Sequence, residues 1–250
     1  MNEREIRIRA RKLGLPAPQV RKEYALTHVL AAIADAELPF TFRGGTCLAR
    51  IYWPDFRMSE DLDFVGDEHI PDLAEVLQRA VEIAAARSEL PLELRFVSPG
   101  RAYARSVVRW ADQEVLLDLN LGERSFLPVE RRRIDFPFAD LREPERTIRA
   151  ASLAEILANK LYMLDDRSEP RDLFDLWSGV CRFGVTMDDI AIAFRAKYGG
   201  LPAKWRLDRA MKLKASWVER LEHQVRPLPP FDEVHADLLA KFSRWSGESD

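Results

Sequence analysis

Cysteine and histidine are scarce in this sequence, with two cysteines and four histidines among 250 residues. Cys47 and Cys181 lie far apart in the chain, which argues against a disulfide framework and favours a reducing compartment. The histidines are scattered without the spacing of zinc ligands, so we do not expect a zinc enzyme.

Long apolar runs are also missing. No apolar run approaches the length that a membrane-spanning helix needs. The N-terminal segment MNEREIRIRARKLG is charged from its start, which argues against a secretory signal. We therefore expect a cytoplasmic protein with no membrane association.

Neither sign of charge dominates, since 38 lysines and arginines face 41 aspartates and glutamates. Any nucleic-acid binding must therefore come from a local basic patch. The length allows one large domain or two modest ones. Strand-like patterns stop near Ala150 and helical patterns follow, so we predict domains at residues 1–150 and 151–250.

An acidic strand motif carries the first chemical signal. In Asp61-Leu62-Asp63-Phe64-Val65, polar and apolar residues alternate with the period of a β-strand. The alternation places Asp61 and Asp63 on one face and buries Leu62, Phe64 and Val65. Paired carboxylates repel one another unless a cation lies between them, and Mg²⁺ prefers such oxygen ligands. The motif predicts a site for Mg²⁺ (or Mn²⁺).

A glycine turn precedes this strand. The apolar run Phe40-Thr41-Phe42 leads into Gly44-Gly45-Thr46 and then into the helical segment CLARIY. Glycines allow the backbone to approach a ligand closely, and free N–H groups at a helix start favour phosphate. Together with the aspartate pair, this turn indicates a nucleoside triphosphate site. Arg57, four residues before Asp61, could contact a phosphate or brace the carboxylates.

The pattern GG-T-x-L followed by R-x-S-E-D-L-D-F resembles the AbiEii/MenT-type toxin branch of the nucleotidyltransferases related to DNA polymerase β. The resemblance implies an α+β fold, with a mixed sheet flanked by helices and a helical C-terminal domain. It also implies a third carboxylate on a strand beside the aspartate pair. Asp118 in EVLLDLNL matches that place by order and strand context, and would share the metal with Asp61 and Asp63.

A second motif follows the domain boundary. Ser152-Leu-Ala-Glu155 is typical of a capping box that begins a helix carrying Lys160, and Pro170 begins the next helix. The arrangement K-L-Y-x-L-x-x-R-x-x-x-R-D-L-F-D-L again resembles the AbiEii-type toxins. The resemblance places Lys160 against the triphosphate. It also implies that Asp172, with Arg171, holds the nucleotide or Lys160, and that Asp175 pairs with Lys160 or Arg171.

The resulting hypothesis is a nucleotidyltransferase toxin that transfers NMP from an NTP to an acceptor hydroxyl. Its catalytic residues would be Asp61, Asp63, Asp118, Lys160 and Asp172. The resemblance points to the 3′ end of tRNA as acceptor, with inhibition of translation and control by a cognate antitoxin. Two alternatives remain open at this point: a nucleotide-binding regulator without transfer activity, and a phosphohydrolase with Asp61 as nucleophile.

A basic stretch lies near the C-terminus. Between Phe194 and Arg220, basic residues are interleaved with Tyr198, Trp205 and Trp217; they are Arg195, Lys197, Lys204, Arg206, Arg209, Lys212, Lys214 and Arg220. This mixture fits RNA binding through phosphate contacts and base stacking. It fits an amphipathic helical bundle with a solvated face equally well.

Overall fold

The computed structural model describes residues 3–66, 73–99, 103–110, 113–121, 123–167, 169–200, 207 and 209–243. The chain divides into two compact units. The first, here called the sheet unit, comprises Met1–Ser125 and Val129–Ala151. The second, here called the helical unit, comprises Phe126–Pro128 and Ser152–Asp250. The composition change near Ala150 lies at this division.

The sheet unit contains a seven-stranded sheet with the strand order β3-β4-β5-β2-β1-β7-β6. The β2–β5 and β1–β7 pairs are parallel and the other neighbours are antiparallel, so the sheet is mixed. The strands are β1 Thr41–Arg43, β2 Asp61–Val65, β3 Glu93–Pro99, β4 Tyr103–Trp110, β5 Gln113–Asn120, β6 Glu130–Arg133 and β7 Thr147–Ala150.

Helices cover the apolar face of this sheet. The sheet unit begins with α1 Glu3–Leu13 and α2 Ala17–Asp35, and α4 Leu73–Ser88 follows β2. Leu62 and Phe64 of β2 and Leu117 and Leu119 of β5 are buried, and α2 packs against both strands. Because side chains of a strand alternate between its two faces, the residues between them lie on the opposite face of the sheet.

A buried ion cluster connects α2 to Arg50, which lies in the segment Leu48–Tyr52. Arg9 donates two hydrogen bonds of 2.6 Å to the carboxylate of Glu23, and Arg50 donates a third. Burial alone raises the pKa of Glu23, but Arg50 and Arg9 outweigh it and the net pKa is lowered. Glu23 therefore stays ionised inside the unit and fixes Arg50 relative to α2.

The helical unit contains α5 Leu153–Asp166, α6 Pro170–Trp177, a π-helical turn Ser178–Arg182, α7 Met187–Tyr198, a 3₁₀ segment Ala210–Ser216, α8 Trp217–Leu221 and α9 Phe231–Ser243. The Ser152 hydroxyl accepts a hydrogen bond from the Glu155 N–H, as an N-cap does. Only half of the predicted capping box is formed, because the Glu155 carboxylate accepts instead from the N–H groups of Phe126 and Leu127. None of the helices in the described part of the chain has the length and apolar character to cross a membrane.

Candidate active site

The aspartate pair lies on β2 as the alternation predicts. Leu62 and Phe64 are fully buried, whereas Asp61 and Asp63 are partly exposed on the other face. The sequence produces this arrangement because the apolar residues of the strand are needed for the core, which leaves the two carboxylates on the face away from α2. The polar face of β2 is therefore acidic and accessible.

The glycine turn contacts this strand directly. Gly44 begins the short helix α3, Gly44–Cys47, which continues as a π-helical segment, Leu48–Tyr52. Gly44 has a φ of +79°, and a Cβ at this position would lie 2.8 Å from Cγ of Asp63. A side chain there would meet both backbone strain and the carboxylate. Glycine is thus required where the turn approaches Asp63.

Buried side chains contact the rest of the turn. The Thr46 hydroxyl is buried and donates a 2.5 Å hydrogen bond to the backbone carbonyl of Asp61. The Arg57 side chain is buried too; it donates to the carbonyl of Met58 and lies against Gly45, where a Cβ would be 3.1 Å from its Cζ. Thr46 therefore joins the turn to β2, and Arg57 contacts the turn at Gly45, both through side chains that are largely shielded from solvent.

Asp118 lies beside Asp63. The parallel β2–β5 register pairs the two residues, so their side chains are on the same face of the sheet. The Asp118 carboxylate accepts two hydrogen bonds of 2.7 Å from Arg105 and one of 2.9 Å from the Tyr103 hydroxyl. The bonds with Asp118 raise the pKa of Arg105 far above its usual range. Burial and this carboxylate also raise the pKa of Tyr103.

The carboxylates suit a divalent cation shared with a substrate. Within the residues that the structure describes, no three acidic, imidazole or thiol side chains cluster closely enough to hold a metal ion. Mg²⁺ needs less than that, since it is commonly bound by one or two carboxylates together with substrate phosphates and water. Asp61 and Asp63 fit this requirement, and Asp118 accepts two hydrogen bonds from Arg105.

A different cluster occurs in the helical unit. Lys160 of α5 lies between two buried carboxylates, 2.7 Å from Asp172 and 3.1 Å from Asp175. Arg167 makes two further hydrogen bonds with Asp172, of 2.8 and 3.0 Å. Burial by itself raises the pKa of Asp172, but Lys160 and Arg167 outweigh it and the pKa falls to about 2. Arg171 lies in the first turn of α6, 3.8 Å from the carboxylate of Glu169, the residue before the helix.

The predicted site residues thus form two groups. Gly44, Gly45, Thr46, Arg57, Asp61, Asp63 and Asp118 belong to the sheet unit. Lys160, Arg171, Asp172 and Asp175 belong to the helical unit, where the predicted pairing of Asp175 with Lys160 is present.

Three charged or polar partners were not assigned from the sequence. Tyr103 and Arg105 lie on β4, and only the β4–β5 register brings them to Asp118. The sequence pattern that could have identified them is the alternation in YARSVVRW, because a strand period of two places both side chains on one face. Arg167 is part of the K-L-Y-x-L-x-x-R motif, so its position was visible in the sequence although its partner was not.

Two of the three aromatic residues of the C-terminal basic stretch, Tyr198 and Trp217, lie in the described part of the chain and pack against other residues of the helical unit. Trp217 is buried and donates a hydrogen bond to the carbonyl of Pro229. Tyr198 stacks on Tyr162 with ring centroids 4.0 Å apart. Base stacking on Trp217 is therefore ruled out in this conformation. Lys204, Trp205 and Arg206 lie outside the described residues.

Five basic side chains of this stretch are at the surface, and Lys197 is half-buried over the ring of Tyr198. Arg195, Arg209, Lys212, Lys214 and Arg220 are exposed, and Lys214 pairs with Asp232. The burial of Trp217 beside exposed basic residues fits the amphipathic bundle, and the exposed basic side chains still fit phosphate contacts.

Comparison with known proteins identifies similar chains. The family model described as the nucleotidyl transferase AbiEii toxin of type IV toxin–antitoxin systems matches residues 26–237. The chain is similar to MenT4, a nucleotidyltransferase toxin from Mycobacterium tuberculosis H37Rv, with 18% identity and a TM-score of 0.74, over 100% of this chain and 91% of MenT4. No curated protein matches the sequence.

A second solved structure has the same fold. It is a candidate nucleotidyltransferase from H. pylori, with 19% identity and a TM-score of 0.62, over 92% of this chain and 95% of the other. The family resemblance and the α+β fold with a mixed sheet, both predicted from the sequence, are confirmed.

Proposed function

Because this chain belongs to the AbiEii nucleotidyltransferase toxins of type IV toxin–antitoxin systems, we propose that it transfers NMP from an NTP to the 3′ hydroxyl of tRNA. Membership of the family makes the chain a nucleotidyltransferase that uses an NTP and has a cognate antitoxin. The choice of tRNA as acceptor, the use of Mg²⁺ and the resulting inhibition of translation belong to the proposal.

The contact between Gly44 and Asp63 is the observation that carries this proposal. The turn comes so close to the carboxylate that a Cβ at Gly44 would lie 2.8 Å from Cγ of Asp63. A triphosphate lying along the N–H groups of this turn would therefore reach the aspartate pair. Phosphate oxygens and carboxylates together form the ligand set that Mg²⁺ prefers.

In the sheet unit, Asp61 and Asp63 would hold the divalent cation together with the triphosphate. Gly44 and Gly45 would bind phosphate through their backbone, and Thr46 and Arg57 would keep the turn in place beneath it. The bound metal supplies charge stabilisation for the attacking and leaving oxygens of an in-line displacement. Asp118 would complete the site, either as a further ligand or by orienting the acceptor hydroxyl.

In the helical unit, the proposal assigns Lys160 to the triphosphate, where its ammonium would neutralise charge on the leaving group. Asp172 and Asp175 bond Lys160 on two sides and so fix the position of its Nζ atom. Arg171 is assigned to the nucleotide from the family motif.

Labelled nucleotide and tRNA test the proposal directly. Purified protein is incubated with each labelled NTP in turn, with total tRNA and with Mg²⁺ or Mn²⁺. We expect label at the tRNA 3′ end with at least one NTP, and loss of that label in Asp61→Ala. Glu114→Ala is the matched control, because Glu114 is an exposed acidic residue of β5 that forms its own ion pair with Arg109.

Two results would contradict the proposal. Absence of label in every RNA acceptor with all four NTPs would remove the transferase reaction on RNA. NTP binding that depends on Asp61 without any transfer would favour a regulator instead. Sequencing of RNA 3′ ends after expression in a host identifies the acceptor and the added nucleotide.

A further inference from the structure

A row of charged residues crosses four neighbouring strands of the sheet. The strand registers pair Arg43 of β1 with Asp63 of β2, Asp63 with Asp118 of β5, and Asp118 with Arg105 of β4. Register partners in a sheet project from the same face. The two carboxylates in the centre of this row are therefore flanked by an arginine at each end, with the charge order plus, minus, minus, plus.

The carboxylate of Asp118 is bonded by two side chains of β4. Arg105 uses Nε and an Nη atom to bond both oxygens of Asp118, each at 2.7 Å, and the Tyr103 hydroxyl bonds one of those oxygens at 2.9 Å. A carboxylate has about four lone-pair positions, so three of those on Asp118 are occupied. The glycine turn, in contrast, closely approaches Asp63.

This bonding conflicts with the use of Asp118 as a metal ligand. A fork of two charge-assisted hydrogen bonds is among the strongest pairings that a carboxylate makes in proteins. A divalent cation beside Asp63 would also be repelled by the guanidinium of Arg105, which lies two strands away on β4. Asp118 can bind the cation only if it gives up at least one bond to Arg105.

We propose that Arg105 is a positioning residue that competes with the divalent cation for Asp118 and thereby sets the affinity of the site for metal. The inference rests on the proposed use of Asp61 and Asp63 as cation ligands. In the resting protein Arg105 compensates the charge of Asp118. When a cation binds, Arg105 moves off the carboxylate, and its half-exposed side chain has solvent to move into.

Binding of Mn²⁺ alone, without nucleotide or RNA, tests this proposal. Free Mn²⁺ is measured by electron paramagnetic resonance during titration of the full chain. We expect Arg105→Gln to bind Mn²⁺ about tenfold more tightly than the parent protein, chiefly because the carboxylate of Asp118 is released from its two bonds to the guanidinium. Tyr103→Phe removes one bond to Asp118 and is expected to produce a smaller gain, about twofold.

Arg109→Gln is the matched control. Arg109 lies on the same strand and forms an equivalent cross-strand pair with Glu114, four residues along the chain from Arg105. We expect its affinity for Mn²⁺ to equal that of the parent protein. A gain as large as that of Arg105→Gln would mean that net charge alone controls binding, and would overturn the proposal.

The Asp118→Asn background separates competition from general electrostatics. If Arg105 acts through Asp118, adding Arg105→Gln to Asp118→Asn should change the Mn²⁺ affinity by no more than about twofold. An equal tenfold gain in both backgrounds would overturn the proposal, as would unchanged or weaker binding in the single variant Arg105→Gln. Mn²⁺ binding that depends on Asp61 in a protein that transfers no nucleotide would reject the proposed function while leaving this inference standing.

Discussion

Aspartates occur in two contrasting environments in this protein. In the helical unit, Asp172 is fully buried and is bonded by Lys160 and Arg167. In the sheet unit, Asp61 and Asp63 are partly exposed on the polar face of β2. A buried carboxylate is stable only with its cations in place, whereas an exposed one is solvated by water. The carboxylate of Asp172 is therefore held in place by its cations, and the carboxylates of Asp61 and Asp63 lie where solvent reaches them.

Removal of one carboxylate from each cluster should show this contrast most strongly. We expect Asp172→Ala to lower the free energy of unfolding by about 3–5 kcal/mol, because it removes one partner of a buried ion pair. We expect Asp61→Ala to change it by less than about 1 kcal/mol, as is usual for a position outside the core. Urea denaturation of both variants measures the difference. Equal losses would show that the two environments do not differ as described.

In the sheet unit, loss of a carboxylate should reduce the rate of nucleotide transfer far more than it reduces stability. We expect Asp61→Ala to lower nucleotide transfer by about 100-fold or more, equivalent to about 2.7 kcal/mol, while its unfolding curve stays close to that of the parent protein. Initial rates of label incorporation into tRNA measure this. Retention of the parent rate in a folded Asp61→Ala protein would remove Asp61 from the catalytic residues.

Acid should destabilise the helical cluster. The pKa of Asp172 is about 2 in the folded protein, below its ordinary value of 3.8. Because the folded pKa is lowered, this contribution is fully present above about pH 4 and is lost as the pH falls towards 2. The shift corresponds to about 2 kcal/mol.

Urea denaturation across this pH range, for the parent protein and Asp172→Asn, isolates the contribution of Asp172. Only the parent protein should lose this part of its free energy of unfolding as the pH falls. Asp232→Asn is the control, because Asp232 forms an exposed pair with Lys214. A parallel pH dependence in parent and Asp172→Asn would contradict the assignment.

The glycine turn allows the smallest and most local test. Gly44 and Gly199 both have positive φ, +79° and +75°, but a Cβ at Gly199 meets no atom within 4 Å. Each alanine variant should lose about 1 kcal/mol from backbone strain. Gly44→Ala should lose about 1 kcal/mol more because its Cβ meets Asp63, and it should also lose transfer activity. Thermal unfolding and initial rates of the two variants measure both effects. Equal behaviour would mean that the contact with Asp63 has no consequence.

Local patterns in the sequence predicted the elements on which the candidate site is built. The alternation of DLDFV identified β2 and the side on which Asp61 and Asp63 lie, because a strand has a fixed period of two. The helix N-cap at Ser152 was also readable, since a cap acts within one turn. The bond between Lys160 and Asp175 was predicted as one of two alternatives.

Contacts between distant segments were much harder to predict. The role of the Thr46 hydroxyl as a donor to the Asp61 carbonyl depends on how the turn packs on β2. The burial of Trp217 depends on its packing against Phe231 and Phe174, which belong to other helices. Nothing in the local sequence distinguishes a tryptophan of the core from one that could stack on a base.

By itself the sequence determined the family, the fold class and the strand that carries the aspartate pair. Each of these follows from local patterns, since motifs and hydrophobic periodicity can be read from residues that are close together in the chain. Only the tertiary structure decided which charges meet. Arg105 and Asp118 are separated by a hairpin, and a change of one residue in their register would move one of the two side chains to the other face of the sheet. Pairing between strands is set by the packing of the whole sheet, and the bonding of Asp118 is therefore a property of the fold.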